Sequence, residues 1–366
     1  MAEGIDSMES DPKQRRIVLR GLLGLSLLGQ PLIDAVASAG RRNANVRSFG
    51  AKGNGRGDDT DAFQRAIDSL AAGGGVVRVP AGSYMIDPLR SVRMRSGVDL
   101  RMDSGAILMA KPNAAPRAYV VLAERVRDVT ISGGSIMGDR YAHLGTNGEW
   151  GHGVMIRGAS RVTVRNVTIS RCWGDGISVG GFPLKGRAGI PSTDILIDDV
   201  RCLGNRRQGL TIGRSRRVRV IDSEFSNTHG TKPEYGIDIE PDAPGTADDI
   251  TIERCVLRGN RGGGIQAYHR SSNISIRGCT IENNGSGIYT VDAVNGVIAN
   301  NTIGLNRNSG VALRGGTRGF RVEGNRFRGN NTRLKLPAAA KRASRVHVNV
   351  AEKIRSSNRV LANSFD

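Results

Sequence analysis

Aromatic side chains make up only 4% of the 366 residues, and histidine occurs five times. So few bulky rings argue against an ordinary layered globule, whose core relies on them. Acidic residues are in short supply, with 34 Asp and Glu against 53 Lys and Arg, a formal charge of +19. A surface with that surplus attracts polyanions such as acidic polysaccharide, nucleic acid or lipopolysaccharide phosphate. Nucleic acid is set aside, because aromatic platforms for bases are scarce and no reading motif is present. The four cysteines form no CxxC pair and no zinc spacing, which excludes a metal site built on them. No apolar run approaches the roughly 20 residues of a spanning helix, so no transmembrane segment is expected in the mature chain. What the sequence has in abundance is glycine, at 50 residues, and that composition suits a repetitive fold.

Residues 1–39 read as an export signal. Arg15 and Arg16 head the segment, an apolar stretch runs over 21–29, and Ala37, Ser38 and Ala39 fit a small-residue cleavage site. The paired arginines are twin-arginine-like, which points to a bacterial protein exported to the periplasm or secreted. The segment holds five acidic and four basic residues, so its removal leaves the positive surplus in place.

From His152 onward a unit repeats: glycine, alternating apolar residues, a turn, a second alternating strand and a polar turn ending near Asn. The anchor glycines are Gly153, Gly176, Gly209, Gly236, Gly264, Gly287 and Gly310, separated by 23, 33, 27, 28, 23 and 23 residues. The spacing of 23 is the bare unit, and the longer ones carry insertions. A unit of two or three short strands cannot bury its apolar face alone, so the units are expected to stack as coils of a solenoid. Cys255, Cys279, Asn301 and Asn325 fall at one position of four consecutive coils, an inward column. Cys255 and Cys279 would then lie close enough to bridge, or to pack as thiols. Before the coils, Asp59, Thr60 and Asp61 are placed to cap a helix through Leu70 whose apolar face is Ala62, Phe63, Ala66, Ile67 and Leu70.

The stretch from Val46 through Phe49, Gly50, Asp58, Asp59, Thr60, Asp61, Ala62 and Phe63, followed by Gly73, Gly74, Gly75, Val76, Val77 and Pro80, resembles the opening of the pectate-lyase-like superfamily with its rhamnogalacturonase and epimerase members. The resemblance implies an all-β fold, a right-handed parallel β-helix with a short N-terminal capping helix, and carbohydrate substrates. It leaves the reaction open, since hydrolases, lyases, epimerases and non-catalytic proteins share the fold. The expected organisation is one β-helix domain over 40–366, with an N-terminal cap at 46–80, clear coils at 152–330 and a last coil or cap at 331–366.

Strand alternation makes the outward face readable. Its row is Met155, Ser178, Thr211, Asp238, Gln266, Tyr289 and Ala312, extended by Arg157, Glu240 and Tyr268 two positions further along their strands. Just before the glycines stand His152, Asp175, Gln208 and Tyr235. Insertions at 139–151, 180–193, 226–234 and 241–248 are expected to wall a groove on this face. They bring Tyr141, His143, Trp150, Phe182, His229 and Lys232, with Trp173, Arg207, His269 and Arg270 close by, a mixture suited to stacking on sugars and pairing with carboxylates.

The sharpest element is Tyr235-Gly236-Ile237-Asp238-Ile239-Glu240. Asp238 and Glu240 would both face out, with backbones roughly 6.6 Å apart. Two such carboxylates can act as an acid and base pair, as a glycosidase needs, with Asp175 as a third. They could equally bind calcium, and no other cofactor is required. The segment also resembles the Tyr-Gly-apolar-Asp motif of alginate C5-epimerases, in which a tyrosine and a nearby histidine exchange the C5 proton. Where those enzymes have the histidine, this chain has Glu240, so His229 or His269 would have to substitute. Gly151-His152-Gly153 and Gly174-Asp175-Gly176 echo polygalacturonase motifs with the order of histidine and acid reversed, so no roles are carried over. β-Elimination is open too, with Arg207, Lys232 or Arg270 neutralising a uronate while Tyr235 or His229 takes the proton.

These features place Asp238, Glu240, Asp175, Tyr235 and His229 as catalytic candidates. The expected substrate contacts are His152, Trp150, Trp173, Arg207, Gln208, Lys232, Gln266, Tyr268, His269 and Arg270. The leading expectation is an exported enzyme cleaving an acidic polysaccharide, hydrolysis slightly ahead of elimination. The alternatives are a uronate C5-epimerase and a non-catalytic polysaccharide-binding β-helix.

Overall fold

A strand such as Ala247–Glu253 alternates apolar and polar residues, so Ile250 and Ile252 share one face and need cover on it. The cover comes from the next coils. In the computed structural model, which describes residues 40–185, 187–335, 337 and 343–366, the strands of successive coils pair in parallel in chain order. Two sheets have 12 strands each, the first from Asn43–Asn45 to Arg359–Leu361 and the second from Asn54–Asp58 to Ser364–Phe365. A third sheet of 10 strands runs from Val92–Arg93 to Val348–Val350. Among the described residues no helix is long and apolar enough to cross a membrane. The export segment expected over 1–39 lies outside the described residues, as do 336 and 338–342 in the expected last coil.

The core is a stack of matched layers. Val218 pairs with Ile250, Ile250 with Ile274, Ile274 with Gly296 and Gly296 with Phe320. Gly296 leaves the space that the Phe320 ring fills, since a Cβ there would collide with it. The anchor glycines serve close approach of the backbones: a Cβ on Gly209 would stand 2.5 Å from the Gly236 carbonyl oxygen.

Coil strands begin at Asn43, well before the repeats that the sequence displays openly. Residues 43–80 contain strands of the first two sheets as well as a helix at Thr60–Asp68. That helix buries Ala62, Phe63, Ala66 and Ile67 against the first coils. Asp59 does not cap it. Its carboxylate accepts from the amides of Lys52 and Gly53, and Asp58 accepts from the Thr60 amide instead.

Two devices hold the corners. Asn260, Asn284, Asn306 and Asn330 form a buried ladder in which each side-chain oxygen accepts from the preceding coil, and each amide donates to a carbonyl of that coil. A second ladder links Cys279, Asn301, Asn325 and Asn363 the same way. Cys255 and Cys279 lie in neighbouring coils as buried free thiols, each pointing at a carbonyl of its own corner. At another corner Asp128, Arg161, Asp194 and Arg217 all adopt positive φ and alternate in sign, with Arg161 paired to Asp128 and Arg217 to Asp194 at 2.6 Å. These pairs are exposed and screened by water, so each adds little to stability.

Candidate active site

The third sheet carries the candidate site. Its register aligns one outward row: Leu122, Met155, Ser178, Thr211, Asp238, Gln266, Tyr289, Ala312 and Asn349. Beside it, on the residues before the anchor glycines, run Tyr119 and His152, followed by Asp175, Gln208 and Tyr235. Over the earlier coils the face opens into a groove of about 370 Å³. A hairpin of Phe182–Leu184 and Arg187–Ile190 and the segment after Glu240 wall it, both rising where third-sheet strands end.

His152, Asp175 and Arg207 form the groove's fixed centre. His152 is 4% exposed, and its Nδ1 accepts the Asp175 backbone N–H at 3.0 Å. Gly174 makes the approach possible, because a Cβ there would lie 2.9 Å from Nδ1. With Nδ1 accepting, the proton of the neutral ring is on Nε2. Burial depresses the imidazole's pKa, and the Asp175 carboxylate only partly opposes it. Asp175, 1% exposed, accepts from the Thr211 hydroxyl at 2.9 Å and stands 3.5 Å from Arg207, which also pairs with Glu149 at 3.0 Å. Tyr119 stacks on His152 with ring centroids 5.6 Å apart. Burial raises the pKa of its phenol, while Arg157 and Arg117 pull it down.

Asp238 and Glu240 separate in role. Both occupy the expected outward positions, yet Asp238 is fully buried instead of facing solvent, because side chains of the adjoining coils close over it. Its Oδ2 accepts from Gln208 Nε2 at 2.7 Å, and Gln208 in turn accepts the Tyr235 amide. Its Oδ1 is buried without a donor among the described residues. Burial, then the adjacent Glu240 carboxylate, hold the Asp238 pKa well above the ordinary carboxylate range, with Arg207 opposing. Glu240 is half-buried and lines the groove. Among the described residues no three His, Cys, Asp or Glu side chains are grouped to hold a metal ion.

The other expected contacts divide. Trp150, 40% exposed, lines the groove with the Arg117 guanidinium 5.1 Å over its ring. Trp173 instead is held between His143, stacked at 4.0 Å, and Arg206 at 3.7 Å, and it serves the 139–151 insertion. Tyr235 packs its ring over Gly263 of the next coil, and its burial raises the phenol's pKa. Gln208 and Gln266 are buried beside Asp238. Away from the groove, His229 is exposed against the Asn227 carbonyl, Lys232 is exposed, Tyr268 packs edge-on to His269, and His269 pairs with Asp292 at 2.8 Å. Arg270 donates to the Pro241 carbonyl and holds the wall after Glu240.

Sequence reading missed Tyr119, Arg117, Glu149 and Arg214. The coil of Tyr119 has Val120 where the next has Gly153, so it lacked the anchor that marks the others. Arg214 passes between the two walls, where Gly181, Gly189 and Gly245 leave it room, and among the described residues it has no ion-pair partner.

Residues 117–242 and 191–358 match the family profile described as a right-handed beta helix region. The chain belongs to that family. Residues 43–129 match a second profile, rhamnogalacturonase A/epimerase, pectate lyase-like. The SPbeta prophage-derived uncharacterized protein YorA of Bacillus subtilis is 29% identical over 248 residues, which are 59% of this chain and 42% of YorA. The mannuronan C5-epimerase AlgE5 of Azotobacter vinelandii is 26% identical over 288 residues, 78% of this chain and 22% of that protein. The chain thus spans well under half the length of either. Among solved structures, the A-module of the Azotobacter vinelandii mannuronan C-5 epimerase AlgE4 superposes with a TM-score of 0.62 at 18% identity, covering 88% of this chain and 95% of that module. That likeness is one of fold.

Proposed function

We propose that the chain modifies a uronate-containing polysaccharide by removing the proton at C5, next to the uronate carboxylate. One observation carries this reading: a half-buried carboxylate, Glu240, shares a groove with Arg117, Arg157, Arg207 and Arg214. Abstraction next to a carboxylate builds negative charge on that carboxylate, and guanidinium groups aimed at it lower the barrier. Glu240 takes the C5 proton, and the buried Asp238 stands behind it. The Nε2–H of His152 or the Tyr119 hydroxyl returns a proton. Delivered to O4 as the C4–O bond breaks, it completes elimination; delivered to the opposite face of C5, it completes epimerisation.

The reading is supported over hydrolysis by the burial of Asp238, which removes one of the two acids a glycosidase would place across the scissile bond. AlgE5, named as a mannuronan C5-epimerase, adds weight. The basic groove, and export if it occurs, fit an acidic polymer met outside the cytoplasm. A panel of acidic polysaccharides tests the reading by following unsaturated ends, new reducing ends and uronate proton signals together. Unsaturated ends, or altered signals at constant chain length, support it. New reducing ends without unsaturation refute it in favour of hydrolysis, and tight binding with no change in product refutes it in favour of a binding protein.

A further inference from the structure

A second cleft, of about 500 Å³, opens on the same face towards the C-terminal end. Its floor is Ala312, a small residue in the outward row between Tyr289 and Asn349. Three arginines converge on it. Arg314 is anchored through Nη1 to the carbonyl and side-chain oxygens of Asn349 at 2.8 and 3.0 Å. Arg333 and Arg345 are exposed, and among the described residues no carboxylate lines the cleft or pairs with any of the three. Three like charges around one hollow repel each other, and a bound anion relieves that repulsion. Tyr289 and Asn308 add an aromatic side and an amide, the mixture that a charged sugar uses.

The register gives the cleft its place relative to the groove. Asp238 pairs with Gln266, Gln266 with Tyr289 and Tyr289 with Ala312, so the cleft floor lies three coils from Asp238 along the same row, about 14 Å at about 4.8 Å per coil. One coil is close to the length of one pyranose in an extended chain. We propose that this cleft is a distal subsite for a carboxylate-bearing sugar of the same polymer, three coils beyond Glu240, so that long polyuronates are gripped at both ends of the face. The inference rests on the uronate reading for the identity of its ligand.

The test uses the full chain and the double variant Arg333→Gln/Arg345→Gln, two exposed positions remote from the groove. Binding of long polyuronate is measured by calorimetry, and turnover is measured on long polymer and on a short uronate oligomer. The double variant is expected to bind long polymer about tenfold more weakly and to show a raised KM, with kcat and short-oligomer turnover unchanged. Lysine at both positions restores most of the affinity. Unchanged affinity of the glutamine variant for long polymer overturns the proposal. So does tighter binding of inorganic polyphosphate than of polyuronate. A tenfold loss of affinity in a protein that never exchanges or abstracts the C5 proton sustains the subsite and sinks the catalytic reading, whereas turnover with unaltered affinity does the reverse.

Discussion

Replacing Asp238 by Asn is expected to make the protein more stable as pH rises, contrary to the usual cost of altering a buried, hydrogen-bonded acid. Asn keeps the oxygen that accepts from Gln208 at 2.7 Å, and its amide supplies a donor where Oδ1 now has none. Relieving one orphaned buried acceptor is worth about 1–3 kcal/mol. The pH dependence gives the sharper signature. The folded-state pKa of Asp238 is raised, chiefly by burial and then by Glu240. The folded protein therefore binds this proton more tightly than the unfolded chain. Stability from that proton is fully present below the unfolded carboxylate value, 3.8, and is lost as pH rises from there towards the folded value. The variant carries no such proton. Its advantage should be smallest near pH 3.8 and grow by up to about 1.4 kcal/mol per pH unit until the folded pKa is passed. Urea unfolding of both proteins at a series of pH values measures the gap, with Asp238→Leu as a control that strands Gln208 and loses about 1–3 kcal/mol. A gap that stays constant with pH, or an Asn variant less stable throughout, refutes the raised pKa of Asp238.

Asn306→Leu removes the acceptor of the Asn284 amide and the donor to the Ile281 carbonyl, so thermal or urea unfolding should register a loss of about 2–4 kcal/mol. His152 has the opposite sign to Asp238. Its folded pKa is lowered, mainly by burial, so wild-type stability should fall as pH drops below 6.5, and His152→Asn, which keeps an acceptor for the Asp175 amide, should flatten that fall. Arg207→Gln leaves Asp175 buried with only Thr211 and His152, and unfolding experiments should show a cost of about 3 kcal/mol or more together with loss of polymer turnover. Glu240→Gln should leave the fold and polymer binding in place while product formation drops by at least about a hundredfold.

The repeat was legible because its period is local: Ile274 and Ile276 alternate, and an anchor glycine recurs within or just before each third-sheet strand from Gly153 to Gly310. Strand alternation likewise placed Asp238 and Glu240 in the right row. It could not reveal that Asp238 is closed off, since that depends on Gln208 and Arg207 arriving from the preceding coil. Tyr119 was hidden because its coil has Val120 at the glycine position. The Asp128, Arg161, Asp194 and Arg217 column was hidden because acid and base alternate along it at separations of 33, 33 and then 23 residues, so no one residue type recurs at a fixed period. Trp173 looked like a sugar platform by type, but both of its faces are occupied by His143 and Arg206.

Solvent deuterium tests the catalytic claim most directly. Polyuronate incubated with the protein in heavy water should acquire deuterium at C5, or yield unsaturated ends with C5 hydrogen lost to solvent, and Glu240→Gln should abolish either product. Chain scission that creates reducing ends while every C5 hydrogen is retained would contradict it.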